Sequence, residues 1–221
     1  MREPLAPVGI FGGTFDPIHN AHLRLVEEAH RVLGLDHVVL VPAGHPQHRD
    51  KPVISAERRL AMVRLAVAGK SWMQIDDSEI RSTSASYTVP TLLRLRQAYG
   101  AERPLVLLLG SDAFAGLASW HRWQELFGLA HIAVATRPGH VLEVGALSPE
   151  LRNEYEQRVR QPPDFLTTAP AGFVHPFIMS PMETSATAIR AALGRNEKPT
   201  GMLPPAVLEY IVRNQLYQSV P

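Results

Sequence analysis

Short runs of consecutive apolar residues, bounded by Gly or Pro, recur at 8–11, 37–41, 105–109 and 131–135. Because they are apolar at successive rather than alternate positions, they predict strands covered on both faces, as in a parallel sheet. Between them the spacing turns helical. Over 20–33, His22, Val26, Ala29 and Leu33 share one face, with Asn20 the expected N-cap and Gly34 the stop. Ser55 predicts the cap of a second helix carrying Leu60, Met62, Val63 and Val67, and 89–99 a third, with Pro90 in its first turn and Gly100 at its end. Two more helices are expected at 184–193 and 205–216, the latter opening on Pro205 and turning Val207, Leu208, Ile211 and Val212 inward. The stretch 138–176 breaks the rhythm: a charged patch at 150–160 is followed by Pro162, Pro163 and Pro170, which predicts an exposed helix and a loop. Strand and helix in alternation define an α/β protein with a mostly parallel sheet and C-terminal helices.

Composition narrows the class. The 221 residues, 45% hydrophobic and 19% charged, supply a substantial core, which argues against disorder. At roughly 150 residues per domain the length fits one large domain, taken as 1–221 with an irregular insertion at about 141–175. Twenty-two Lys and Arg against 21 Asp and Glu leave a formal charge of +1, without the basic excess of a nucleic-acid binder. The absence of cysteine excludes a disulfide scaffold, a thiolate metal site and a cysteine nucleophile. No apolar stretch of signal-peptide length precedes Gly12, and no run approaches the roughly 18 residues of a membrane span. A cytoplasmic location without membrane association is therefore the expectation.

Candidate chemistry concentrates where the first strand meets the first helix, in Gly12-Gly13-Thr14-Phe15-Asp16-Pro17-Ile18-His19-Asn20-Ala21-His22. A strand, a glycine turn and a helix N-terminus place backbone N–H groups and a positive dipole where a phosphate can sit. His19 and His22, at helical spacing, project to one side at the carboxyl end of that strand. Taken singly, the glycines are also compatible with a tight turn and the histidines with a core pair or half a metal site. The metal alternative lacks a cysteine and a third ligand at diagnostic spacing.

Taken together, residues 12–22 resemble the signature of the nucleotidylyltransferase superfamily, a glycine turn followed by His-x-x-His, with Ala21 where that family usually has Gly. Thr184-Ser185-Ala186-Thr187-Ala188-Ile189-Arg190 is similar to the superfamily's Ser-Ser-Thr-x-Ile-Arg motif, with Ala186 for the second serine. The middle of the chain follows the order seen in bacterial nicotinate-nucleotide adenylyltransferases: Pro46-Gln47-His48-Arg49 for the family's Pro-Pro-His-Lys, then Glu79, Ser86-Tyr87-Thr88, Gly110-Ser111-Asp112, Trp120, Arg137-Pro138-Gly139, Leu203-Pro204 and Leu216-Tyr217.

The resemblance implies a Rossmann-like doubly wound sheet and adenylyl transfer from ATP to nicotinate mononucleotide, giving deamido-NAD and pyrophosphate, with Mg²⁺ accompanying ATP. It implies His19, His22 and Arg190 as catalytic residues. Gly12, Gly13, Thr14, Phe15, Gly110, Asp112, Arg137, Ser185, Thr187 and Ile189 would bind ATP, and Tyr87, Thr88, Trp120, His48 and Arg49 the pyridine nucleotide, with Tyr87 and Trp120 as an aromatic pair at the ring. No dedicated protein metal site, nucleic-acid partner or membrane partner is expected, and a homo-oligomer is left open. Two other readings remain at this stage: transfer to another acceptor, such as phosphopantetheine or nicotinamide mononucleotide, and a regulatory nucleotide-binding module without turnover.

Overall fold

A computed structural model, which describes residues 5–47, 52–136 and 142–218, contains six strands among those residues: β1 (Val8–Gly13), β2 (His37–Pro42), β3 (Met73–Ile75), β4 (Leu105–Gly110), β5 (His131–Thr136) and β6 (Val174–Ile178). They form one parallel sheet in the order β3-β2-β1-β4-β5-β6, the doubly wound arrangement of Rossmann-like proteins. Register is set by Val8 opposite Leu105, Val106 opposite His131 and Ile132 opposite Val174. All six residues of β5 are buried, as a strand covered on both faces requires.

The helices are α1 (Asn20–Val32), α2 (Ala56–Val67), α3 (Ser78–Arg81), α4 (Thr88–Tyr99), α5 (Ser111–Ala115), α6 (Leu126–Leu129), α7 (Pro149–Arg158), α8 (Ala186–Gly194) and α9 (Pro205–Arg213). Ser55 caps α2 as expected, its hydroxyl accepting the Arg58 N–H. Gly34 and Gly100 follow α1 and α4 with φ of 58° and 84°, a region that glycine enters without a Cβ penalty.

Several local expectations change. Asn20 is the first residue of α1 rather than its cap, and its side-chain amide donates to the Gly201 carbonyl at 2.8 Å. The final helix stops at Arg213, because Gln215 and Tyr217 take φ of 51° and 62°. Val207 and Ile211 are buried as predicted, but Val212 is 45% exposed. Strands β3 and β6 went unpredicted. β3 has three residues, one of them Gln74; β6 carries His175 and Pro176 and tolerates the proline because it is an edge strand. The expected exposed helix in the 141–175 stretch is α7, capped by Ser148 and burying Leu151.

The chain divides into two compact units. One holds the described residues of Met1–Phe11, Val26–Val39 and Tyr87–Pro181; the other holds those of Gly12–Leu25, Leu40–Ser86 and Met182–Pro221. The first is built on β4, β5 and β6 and is pinned by His131, which accepts the Phe173 N–H at Nδ1 (3.1 Å) and meets the Ala169 carbonyl at Nε2 (2.9 Å). In the second, α2 packs on α9, and the glycine loop after β1 and the Arg190 helix lie in the same unit.

Candidate active site

At the carboxyl end of β1 the chain turns back over Phe15. A Cβ at Gly13 would lie 2.7 Å from the Phe15 ring, so the turn requires glycine there. Phe15 itself is buried with φ of 51°, and its ring meets that of His22 edge-on at 5.2 Å. Its ring thereby supports that histidine. The Gly13 carbonyl accepts the Ala43 N–H at 2.9 Å and the Thr14 carbonyl accepts Arg59 Nη1, so both carbonyls are turned into the protein.

The two histidines form one unit. Their rings stack with centroids 3.6 Å apart and planes inclined by 17°. The His19 N–H donates to His22 Nδ1 at 3.2 Å, which assigns the proton of a neutral His22 to Nε2. His19 is 6% exposed, its Nδ1 is buried without a hydrogen-bond partner, and burial lowers its pKa to about 4. It is neutral at neutral pH, with a single N–H to offer. The amides of Asn20, His22 and Leu23 are already bonded, to the carbonyls of Met202, His19 and His19. The Asn20 amide is thereby tied to the 201–202 turn and that of His22 to its own first turn.

Arg190 reaches the same loop from α8. Its Nη1 donates to the Asp16 carbonyl at 2.8 Å and its Nη2 to Thr187 Oγ1 at 3.4 Å. Ser185 caps α8, its hydroxyl accepting the Ala188 N–H at 3.2 Å. Ser185 and Thr187 are exposed. Ile189 is fully buried and its N–H bonds the Ser185 carbonyl, so it seats the helix.

Three residues around this loop carry more than sequence reasoning assigned to them. Asp16 is 7% exposed; its carboxylate accepts the Tyr217 hydroxyl at 2.7 Å and the Val53 N–H at 2.8 Å. Burial, and then the bond to Asp16, push the Tyr217 hydroxyl far above its ordinary range. Arg59, 1% exposed, donates to the carbonyls of Thr14, Gly44 (3.1 Å) and Ile54 (3.3 Å). Burial lowers its pKa, opposed chiefly by the nearby Asp16. The available signal was an arginine in line with Met62, Val63 and Ala66 on the apolar stripe of α2. Gly44 lies so close to Glu79 that a Cβ would meet its carbonyl oxygen at 2.0 Å, and Ser86 Oγ accepts the N–H groups of Gly44 and His45. The loop after β2 is thereby clamped up to Pro46, which bridges Ser86.

In the other unit, Thr88 opens α4, with Tyr87 at its cap position making no side-chain cap bond. The Tyr87 ring packs against His121, centroids 4.6 Å apart, a partner the sequence did not suggest. Trp120 is half-buried and ends a short turn, while Trp123 is the core tryptophan at 9% exposure. Gly110 caps α5 and Asp112 lies exposed in its first turn, not at the cap. His48, Arg49 and Arg137 lie outside the described residues.

Among the described residues no three His, Cys, Asp or Glu side chains are grouped to hold a metal ion, and both oxygens of Asp16 already accept hydrogen bonds. No helix there is long and apolar enough to cross a membrane.

A doubly wound sheet whose glycine loop carries paired imidazoles and receives an arginine from a late helix has the make-up of a nucleotidyl-transferring protein, and residues 10–192 match the cytidylyltransferase-like family model. A protein of Dechloromonas aromatica named "Probable nicotinate-nucleotide adenylyltransferase" is 48% identical over 99% of this chain and 100% of its own length. One of the same name from Laribacter hongkongensis is 45% identical over 98% and 96%. The structure of Plasmodium falciparum nicotinic acid mononucleotide adenylyltransferase complexed with NaAD shares the fold, with a TM-score of 0.68 over 96% of this chain and 97% of that one at 18% identity. The chain belongs to the nicotinate-nucleotide adenylyltransferase family of cytidylyltransferase-like proteins.

Proposed function

We propose that the protein transfers the adenylyl group of ATP to nicotinate mononucleotide, forming deamido-NAD and pyrophosphate in NAD biosynthesis. The observation that carries this reading is the bond from Arg190 to the Asp16 carbonyl at 2.8 Å, which seats a cation on the loop that bears His19 and His22. The mononucleotide's phosphate is already ionised at neutral pH, so no strong base is needed. One of its oxygens attacks the α-phosphorus of ATP, a P–O bond forms, the bond to the bridging oxygen breaks, and pyrophosphate leaves with the electron pair. Catalysis then consists of positioning and charge stabilisation.

His22, with Nε2–H directed by its Nδ1 bond, donates to an α-phosphate oxygen as charge develops. His19, neutral because buried, donates one further hydrogen bond and stacks the ring of His22 in place. Arg190 neutralises the departing pyrophosphate. Mg²⁺ accompanying ATP would share that charge when bound. Gly12, Gly13, Thr14, Ser185 and Thr187 surround the phosphates; Gly110, Asp112 and Arg137 serve the rest of ATP. Tyr87, Thr88 and Trp120, with His48 and Arg49, bind the pyridine nucleotide. The chain acts as a single nucleotidylyltransferase domain in the cytoplasm, and membrane and nucleic acid are not its partners.

The test is mass-spectrometric identification of the product when the protein is given MgATP and, separately, nicotinate mononucleotide, nicotinamide mononucleotide and phosphopantetheine. Deamido-NAD with pyrophosphate is the expected product. A dominant product from either other acceptor, or none from any, overturns the reading.

A further inference from the structure

Asp16 is held at both ends. Its carbonyl accepts Arg190 Nη1 and its carboxylate accepts the Tyr217 hydroxyl at 2.7 Å and the Val53 N–H at 2.8 Å. Tyr217 follows the last helix by four residues, and the chain delivers it by an unusual route: Gln215 and Tyr217 both adopt positive φ, 51° and 62°. Non-glycine residues occupy this region at a cost and persist there when surrounding contacts over-determine them. Here the contacts are the burial of Leu216 (2% exposed) and Tyr217 (9% exposed) and the bond from Tyr217 to Asp16.

We propose that Tyr217 is a positioning residue for adenylyl transfer: by fixing the Asp16 side chain it fixes the Asp16 carbonyl on which Arg190 is seated. This rests on the functional reading above. The alternative is that the tail merely fastens the fold. The two differ in what happens once Arg190 is gone. A positioning residue that acts through Arg190 then has nothing left to position, whereas a fastening costs the same with or without Arg190.

Tyr217→Phe keeps the ring and removes the hydroxyl, and a hydrogen bond from a hydroxyl to a carboxylate corresponds to roughly tenfold in an equilibrium or rate. In Tyr217→Phe, kcat is expected to fall about tenfold while KM for nicotinate mononucleotide stays within about twofold, and ATP affinity measured by calorimetry is expected to weaken severalfold. In an Arg190→Ala background the added Tyr217→Phe change should alter kcat and ATP affinity by less than about twofold. Asp16→Asn is the second variant: its loss should also disappear in the Arg190→Ala background, which keeps the test open if Tyr217→Phe does not fold. Losses that multiply in the double variants, or wild-type kinetics and ATP affinity in Tyr217→Phe, overturn the proposal. The calorimetric cycle needs no acceptor, so it separates this inference from the choice of acceptor: coupled ATP binding without deamido-NAD formation sinks the functional reading alone, and no ATP binding by the wild type sinks both.

Discussion

The backbone N–H of His19 donates to Nδ1 of His22 at 3.2 Å, while the two imidazoles stack at 3.6 Å. One bond thus sets the tautomer of His22, leaving its proton on Nε2. His22→Ala should lower kcat by about 10²–10³-fold, because it removes a preorganised donor to the developing charge. Steady-state kinetics beside a thermal melt checks this: a well-folded variant that loses tenfold or less removes His22 from the chemistry.

Arg190→Lys should behave as a loss and not as a conservative exchange. The guanidinium divides its donors between the Asp16 carbonyl and Thr187 Oγ1, and a single ammonium cannot hold that seat and also face phosphate oxygens. The expected result is a fall of at least about tenfold in kcat/KM for ATP. Unchanged ATP kinetics would place Arg190 outside the site.

Acid should weaken the fold through His19. Its pKa drops from 6.5 unfolded to about 4 folded, from burial. The stability tied to keeping it neutral is fully present above pH 6.5 and is lost as pH falls through the window down to 4. His19→Gln, which does not titrate, should flatten the difference in unfolding free energy between pH 7.5 and pH 4.5 by about 2 kcal/mol. Equal pH dependence in urea titrations of both proteins would refute the assignment.

Arg59→Met should destabilise the protein by about 3 kcal/mol, since it leaves the carbonyls of Thr14, Gly44 and Ile54 without their shared donor. Urea midpoints measure it. A change below about 1 kcal/mol would mean that water or a neighbour satisfies those carbonyls.

The acid form of the pyridine nucleotide should be preferred over the amide by about a hundredfold in kcat/KM. Helix α4 begins at Thr88 without a side-chain cap from Tyr87, so its positive end favours a carboxylate, whereas an amide NH₂ would face donors with a donor. Comparable kcat/KM for the two mononucleotides would discard this account of the ring pocket and leave adenylyl transfer untouched.

What could be read along the chain was whatever neighbouring residues decide among themselves. The four long apolar runs became β1, β2, β4 and β5, and Ser55 caps the helix that follows β2. The loop from Gly12 to His22 was visible because glycines and histidines at fixed spacing constrain only their own turn. β6 was hidden because His175 and Pro176 break an apolar run that only an edge position makes tolerable.

The support beneath the loop belongs to the tertiary structure. Asp16 could be seen in the motif, but its partner Tyr217 stands 201 residues away. Arg59 is a charged residue on an apolar stripe, and only folding brings three carbonyls to it. Asn20 has the chemistry of a cap, yet the approach of Gly201 and Met202 draws it into the helix and takes its amide instead. Each of these outcomes depends on which distant group completes a hydrogen bond, and a polar group drawn into the fold is satisfied by whatever packing delivers to it, not by its neighbours in sequence.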